Sequence, residues 1–146
     1  MLQVLAMGAA YTAVGLAAIG SAIGTGIAGS TAIGAWKKCY QQGKEAPFLL
    51  LAMVGAPLSQ TIYAMIMMIV IKGKLAAAPQ NALLYICIGI LGGFAQMLSA
   101  IYQGKCAAGG CISYAETGKG FANYLMVIGV VETCAIFSLI FSFMAM

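Results

Sequence analysis

Four apolar stretches, each long enough to cross a bilayer as a helix, constrain this chain more than any other feature. They run from about Leu2 to Ala35, Pro47 to Ile71, Ala82 to Ala115 and Phe121 to Met146. A span takes about 20 apolar residues. The first and third exceed that and are expected to project past the headgroups on one side. Water cannot be the solvent, because charged residues make up only 7% of the chain, against about a quarter in soluble domains. The N-terminal MLQVLAMGAA lacks a basic start, so the first stretch is expected to stay as a helix rather than be cleaved as a signal peptide.

The connections are short: WKKCYQQGKEA (36–46), KGKLAAAPQN (72–81) and ETGKG (116–120). Short connections make antiparallel neighbours. The expected fold is an all-α membrane protein of four transmembrane helices in two tandem hairpins. It forms a single membrane domain, 1–146, with a first hairpin over 1–72 and a second over 80–146. Lys37, Lys38, Lys44 and Lys119 lie in the first and third loops, with Lys105 close by, against Lys72 and Lys74 in the middle loop. This bias puts the hairpin loops in the cytoplasm and both termini outside.

The hairpins repeat one another. Ser21-Ala22-Ile23 matches Ser99-Ala100-Ile101 at an offset of 78, and LSQTIYAMI from Leu58 matches ETCAIFSLI from Glu132 at an offset of 74. The difference of four places four extra residues between the matched segments of the first hairpin. Both hairpins therefore run the same way across the membrane, unlike the inverted repeats of many transporters. The repeat fails at two places: Glu132 stands against Leu58, and Gln103 against Thr25.

Helices one and three are dense in glycine and alanine, which lets backbones approach closely in lipid. Helices two and four carry MIMMIVI and IFSLIFSFM. Slim and bulky helices alternate, which suits two concentric layers in a ring and also a compact four-helix bundle.

The acids are Glu45, Glu116 and Glu132; the seven bases are all lysine, and histidine is absent. A histidine-ligated metal or histidine base is excluded. The lysines form no stripe for nucleic acid. The five cysteines show no C-x-x-C pair, which speaks for packing residues rather than a disulfide framework.

Glu132 is the twelfth residue of the fourth stretch, near mid-membrane at about 1.5 Å per residue. A carboxylate there is costly and points to function. No lysine shares its depth, so it must be protonated or balanced by a bound cation. Polar residues at matching depth are Ser59, Gln60, Thr61, Gln103 and Thr133, with Tyr63 one turn from Ser59. Neutral oxygens with one carboxylate suit a hard monovalent cation. Pro57 withholds a backbone donor, and the carbonyl of Ala56 is a further candidate ligand. Helix–helix hydrogen bonding by Gln60 and Gln103, and back-bonding by Ser59 and Thr61, are the plainer readings of the same residues.

VVETCAIFS (130–138), YQGKCAAGG (102–110) and APLSQTIYA (56–64) resemble the proteolipid that builds the membrane ring of V-type rotary ATPases. In particular, they resemble that of bacterial sodium-translocating V-type ATPases. The resemblance implies a sodium site made by Glu132, Gln103, Gln60, Ser59 and the Ala56 carbonyl, with Tyr63 holding the glutamate closed. Ser59 stands where threonine is usual, and Leu58 where a small residue is. The resemblance further implies copies of the chain in a ring turned by ATP hydrolysis elsewhere, so that this chain is not itself catalytic. It implies a stator subunit supplying an arginine, and a central stalk docked on the cytoplasmic loops. One carboxylate per two hairpins implies few ions per turn and pumping against a steep gradient. The alternatives are the same ring carrying protons, a four-helix proton-coupled exporter, and a purely structural four-helix membrane protein.

Overall fold

A computed structural model describes residues 1–146. The chain is helical almost throughout: α1 (Leu2–Gln41), α2 (Leu50–Gly55), α3 (Ser59–Ala77), α4 (Ala82–Thr117) and α5 (Phe121–Ala145). Short 3-10 turns at Ala56–Leu58 and Pro79–Asn81 join α2 to α3 and lead into α4. α2 and α3 together make one span of 28 residues, bent at Pro57. The proline ring cannot donate to the preceding turn, and the helix tightens there instead of continuing. All four spans are long and apolar enough to cross a membrane.

Two spans end later than the sequence suggests. α1 continues through Trp36 to Gln41, because no glycine or proline interrupts it between Gly34 and Gly43. At 40 residues it reaches about 60 Å, twice the ~30 Å apolar core of a bilayer. α3 likewise runs on to Ala77 and stops two residues short of Pro79. Trp36 Nε1 donates to the Pro47 carbonyl at 2.8 Å and ties the first loop back onto α1.

α1 and α4 lie parallel and close. A Cβ added at Gly89 would sit 2.6 Å from the Ala9 carbonyl, and one at Gly93 2.7 Å from the Ala13 Cα. Gly104 meets the backbone of Gly24 in the same way. Contact at this range needs glycine, because any side chain would drive the helices apart. The paired residues are about one repeat apart, so the seam joins equivalent positions of the two hairpins.

α3 lies against both α1 and α4. Thr61 donates to Ser21 Oγ at 2.8 Å, and Gln60 Nε2 donates to Ser99 Oγ at 3.2 Å. Ser21 and Ser99 are equivalent in the repeat, so matching serines grip α3 from two sides. α5 runs antiparallel along α4. Bulk is distributed less simply than the glycine pattern suggests. α3 and α5 expose Ile62, Ile69, Phe137 and Phe141, but α4 also exposes Leu91, Phe94, Leu98 and Tyr102. α4 is slim toward α1 and also where Gly92 meets Met67 and Gly110 meets Met53 and Tyr124.

Candidate functional site

Glu132 sits on α5 where that helix meets both α3 and α4. Tyr63 of α3 donates its hydroxyl to Glu132 Oε1 at 2.6 Å. Gln103 of α4 donates from Nε2 to Glu132 Oε2 at 3.1 Å, and to the Ile128 carbonyl at 3.2 Å. Both carboxyl oxygens thus accept hydrogen bonds from neighbouring helices. Bonds that touch a charged group are about twice as strong as neutral ones.

Behind this first contact lies a buried amide pair. Gln60 and Gln103 are wholly buried. Gln60 Nε2 donates to Gln103 Oε1 at 2.8 Å. Ser59 Oγ lies 3.1 Å from the Ala56 carbonyl and 3.3 Å from Gln60 Oε1. Pro57 is buried beside Gly24 of α1, whose added Cβ would meet Pro57 Cβ at 2.9 Å. The bend at Pro57 therefore fixes where Ala56, Ser59 and Gln60 point.

The oxygens at the site are those of Glu132, Gln103, Gln60, Ser59 and the Ala56 carbonyl, and Glu132 carries the one carboxylate. This donor set suits a hard monovalent cation. Gln103 turns its nitrogen toward Glu132, so holding a cation requires its amide to rotate by half a turn. That terminal torsion is broad and roughly two-fold, but Gln60 must turn with it and the Ile128 carbonyl must lose its donor, because Gln103 Oε1 accepts from Gln60 and Nε2 donates to Ile128.

Three residues stand differently from expectation. The Ala56 carbonyl is not released by Pro57, because it accepts the backbone N–H of Ser59 in the 3-10 turn as well as the Ser59 hydroxyl. Thr133 donates back to Val130 at 2.7 Å within its own helix and joins no part of the cluster. This is the usual satisfaction of a threonine inside an apolar helix. Thr61 turns toward Ser21 of α1.

Two residues of the cluster escape the reading by depth. Ser99 accepts from Gln60 and donates to the Val131 carbonyl at 3.1 Å. Gln96 is wholly buried and donates to the Ala135 carbonyl at 2.9 Å. The signal was present in the spacing: 96, 99 and 103 fall on one helical face. Each donates to a carbonyl of α5, making a ladder that flanks Glu132 by about one turn on either side.

Residues 86–145 match the family of the ATP synthase C subunit. The match runs from Ile86 of α4 to the end of α5, and so contains Gln96, Ser99, Gln103 and Glu132. A comparison with curated proteins finds no match. Over its second hairpin the chain is thus similar to the C subunit of ATP synthase.

Proposed function

We propose that this chain is a rotor-ring subunit of an ATP-driven rotary cation pump of the V type, carrying sodium across the membrane on Glu132. The observation that carries the reading is the double hold on Glu132. A tyrosine from the first hairpin and a glutamine from the second meet the only carboxylate near mid-membrane. A carboxylate in lipid is costly when charged and unpaired. Its charge is tolerable while these donors address it, or while a proton or cation neutralises it.

Sodium is favoured over the proton by the neutral oxygens gathered behind the carboxylate. A proton needs one acceptor, whereas a hard cation needs several oxygens. Gln103, Gln60 and Ser59 supply them, and the Ala56 carbonyl joins by giving up the bond from the Ser59 hydroxyl. Copies of the chain form the ring, with α1 and α4 inward. A stator subunit brings the arginine that displaces the ion, since this chain has none. The hairpin loops face the cytoplasm and the central stalk, with both termini outside. The exporter alternative gains nothing from the surface clefts, because Glu132 lines none of the four.

Carbodiimide labelling of Glu132 in the purified protein, with and without sodium between about pH 5 and 9, tests the reading. The reagent attacks the protonated carboxyl. Protection by sodium that grows with pH shows competition between ion and proton at Glu132. Labelling indifferent to sodium leaves a proton carrier.

A further inference from the structure

Gln96 Oε1 is the one buried side-chain polar atom in the chain without a hydrogen-bond partner. Buried acceptors are rarely left unpaired, because burial strips them of water without replacing it. Turning the amide over does not relieve it. The oxygen would then face the Ala135 carbonyl, which now accepts from Nε2 at 2.9 Å, and two acceptors would meet. Oε1 is therefore held pointing away from that carbonyl.

The antiparallel register of α3 and α4 shows what stands opposite. Gln60 meets Gln103, and an added Cβ at Gly92 would meet the Met67 sulfur. Between these two pairs, the register puts the level of Gln96 near Ala64 of α3. Ala64 on α3 and Ala135 on α5 are both wholly buried, so the smallest side chains wall this level on two sides. Neither brings a donor. Ser99, the next rung, already donates to Val131 and accepts from Gln60.

We infer that Gln96 Oε1 holds a buried water molecule that extends the polar cluster of Glu132 by one turn toward the chain's termini. Water is the donor that fits. A cation at this level would lack a carboxylate of its own, whereas a water needs only two to four polar partners. Ala135 follows Glu132 by three residues on α5, and Tyr63 precedes Ala64 on α3. A water that donates one hydrogen to Gln96 Oε1 keeps its oxygen free, and along both helices it lies about one turn from the level of the Tyr63–Glu132 pair. In that place it serves as a residual hydration ligand for an ion held at Glu132. Gln96 is then a positioning residue acting through water. This inference rests on the ion-carrying reading of Glu132 for its role, and on Gln96 alone for the water itself.

Two measurements test it. A high-resolution cryo-microscopy map of the purified protein should show an isolated density about 2.7–3.2 Å from Gln96 Oε1. Gln96→Met keeps the bulk and removes the amide; it should raise the sodium concentration that half-protects Glu132 from carbodiimide by about tenfold, the worth of one hydrogen bond to a charged group. Gln96→Asn keeps an amide and leaves room for water, and should retain most of the protection even if Gln96→Met fails to assemble. A map without the density overturns the water. Unchanged sodium protection in Gln96→Met overturns its role at Glu132. If sodium fails to protect the wild type, the sodium reading falls by itself and the density still decides the water.

Discussion

Tyr63 of α3 and Glu132 of α5 meet at 2.6 Å across the boundary between the two hairpins. The repeat places phenylalanine, Phe137, where Tyr63 has its counterpart, and Leu58 where Glu132 has its own. Each hairpin contributes one half of a contact that neither could make with its own equivalent residue.

Tyr63→Phe keeps the ring and removes the donor. A hydrogen bond to a charged group is worth about 1.5–3 kcal/mol, or about tenfold and upward in an equilibrium. Carbodiimide labelling of Glu132 is expected to quicken by about that factor, because the unprotonated carboxylate loses a donor. An unchanged rate would show that the tyrosine packs without restraining the glutamate.

On the proposed carrier role, Glu132→Gln should abolish carbodiimide labelling and ion transport while leaving the assembled size unchanged. Glutamine is nearly isosteric and can still accept from Tyr63. Transport that survives this change would sink the carrier role.

Gly104→Val should destabilise the protein by forcing α1 and α4 apart beside Gln103. The new side chain meets the backbone of Gly24, which has no rotamer by which to yield. Overpacking of this kind costs about 1–3 kcal/mol or more, visible as a lower unfolding temperature in detergent. Gly129→Ala is the control. Its added Cβ meets nothing within 4 Å, and alanine favours helix by about 1 kcal/mol.

Lys38 and Glu116 join the ends of α1 and α4 through a 2.6 Å ion pair, beyond the apolar stretches. They occupy equivalent positions of the repeat with opposite charge. The Lys38 hydrogen bond and charge hold the Glu116 carboxyl below its ordinary value of 4.5, and Glu116 raises the Lys38 ammonium above 10.5. A lowered carboxyl contributes above its ordinary value and is lost as pH falls through the folded one. A raised ammonium contributes below its ordinary value and is lost as pH climbs past the folded one. The pair therefore acts between these limits. It is exposed, so its effect is small and fades with salt. Lys38→Glu should separate the helix ends in spin-label distance measurements at low salt, and Lys38→Glu with Glu116→Lys should bring them back together.

The helices and the central residues were legible because lipid imposes hard rules. Twenty or so apolar residues make a span, and a lone carboxylate within one stands out. Depth also led to Gln60, Gln103 and Tyr63, which the fold gathers around Glu132. Depth says nothing of azimuth, however. Thr61 and Thr133 share the level of the site but point elsewhere, to α1 and to their own helix. Gln96 lies off that level and joins through its face of α4. The Lys38–Glu116 pair was hidden because Lys38 read as loop, when α1 in fact carries it as helix.

The glycine seam between α1 and α4 locks the two hairpins backbone to backbone, leaving little give for one to slide on the other. In a rotor made of such chains, the unit that advances is a single broad tooth of four helices with one cargo berth. On the proposed reading, gearing would follow from covalent linkage: joining two hairpins while keeping one berth would lengthen the stride per ion, and a stiff seam would carry torque across that stride.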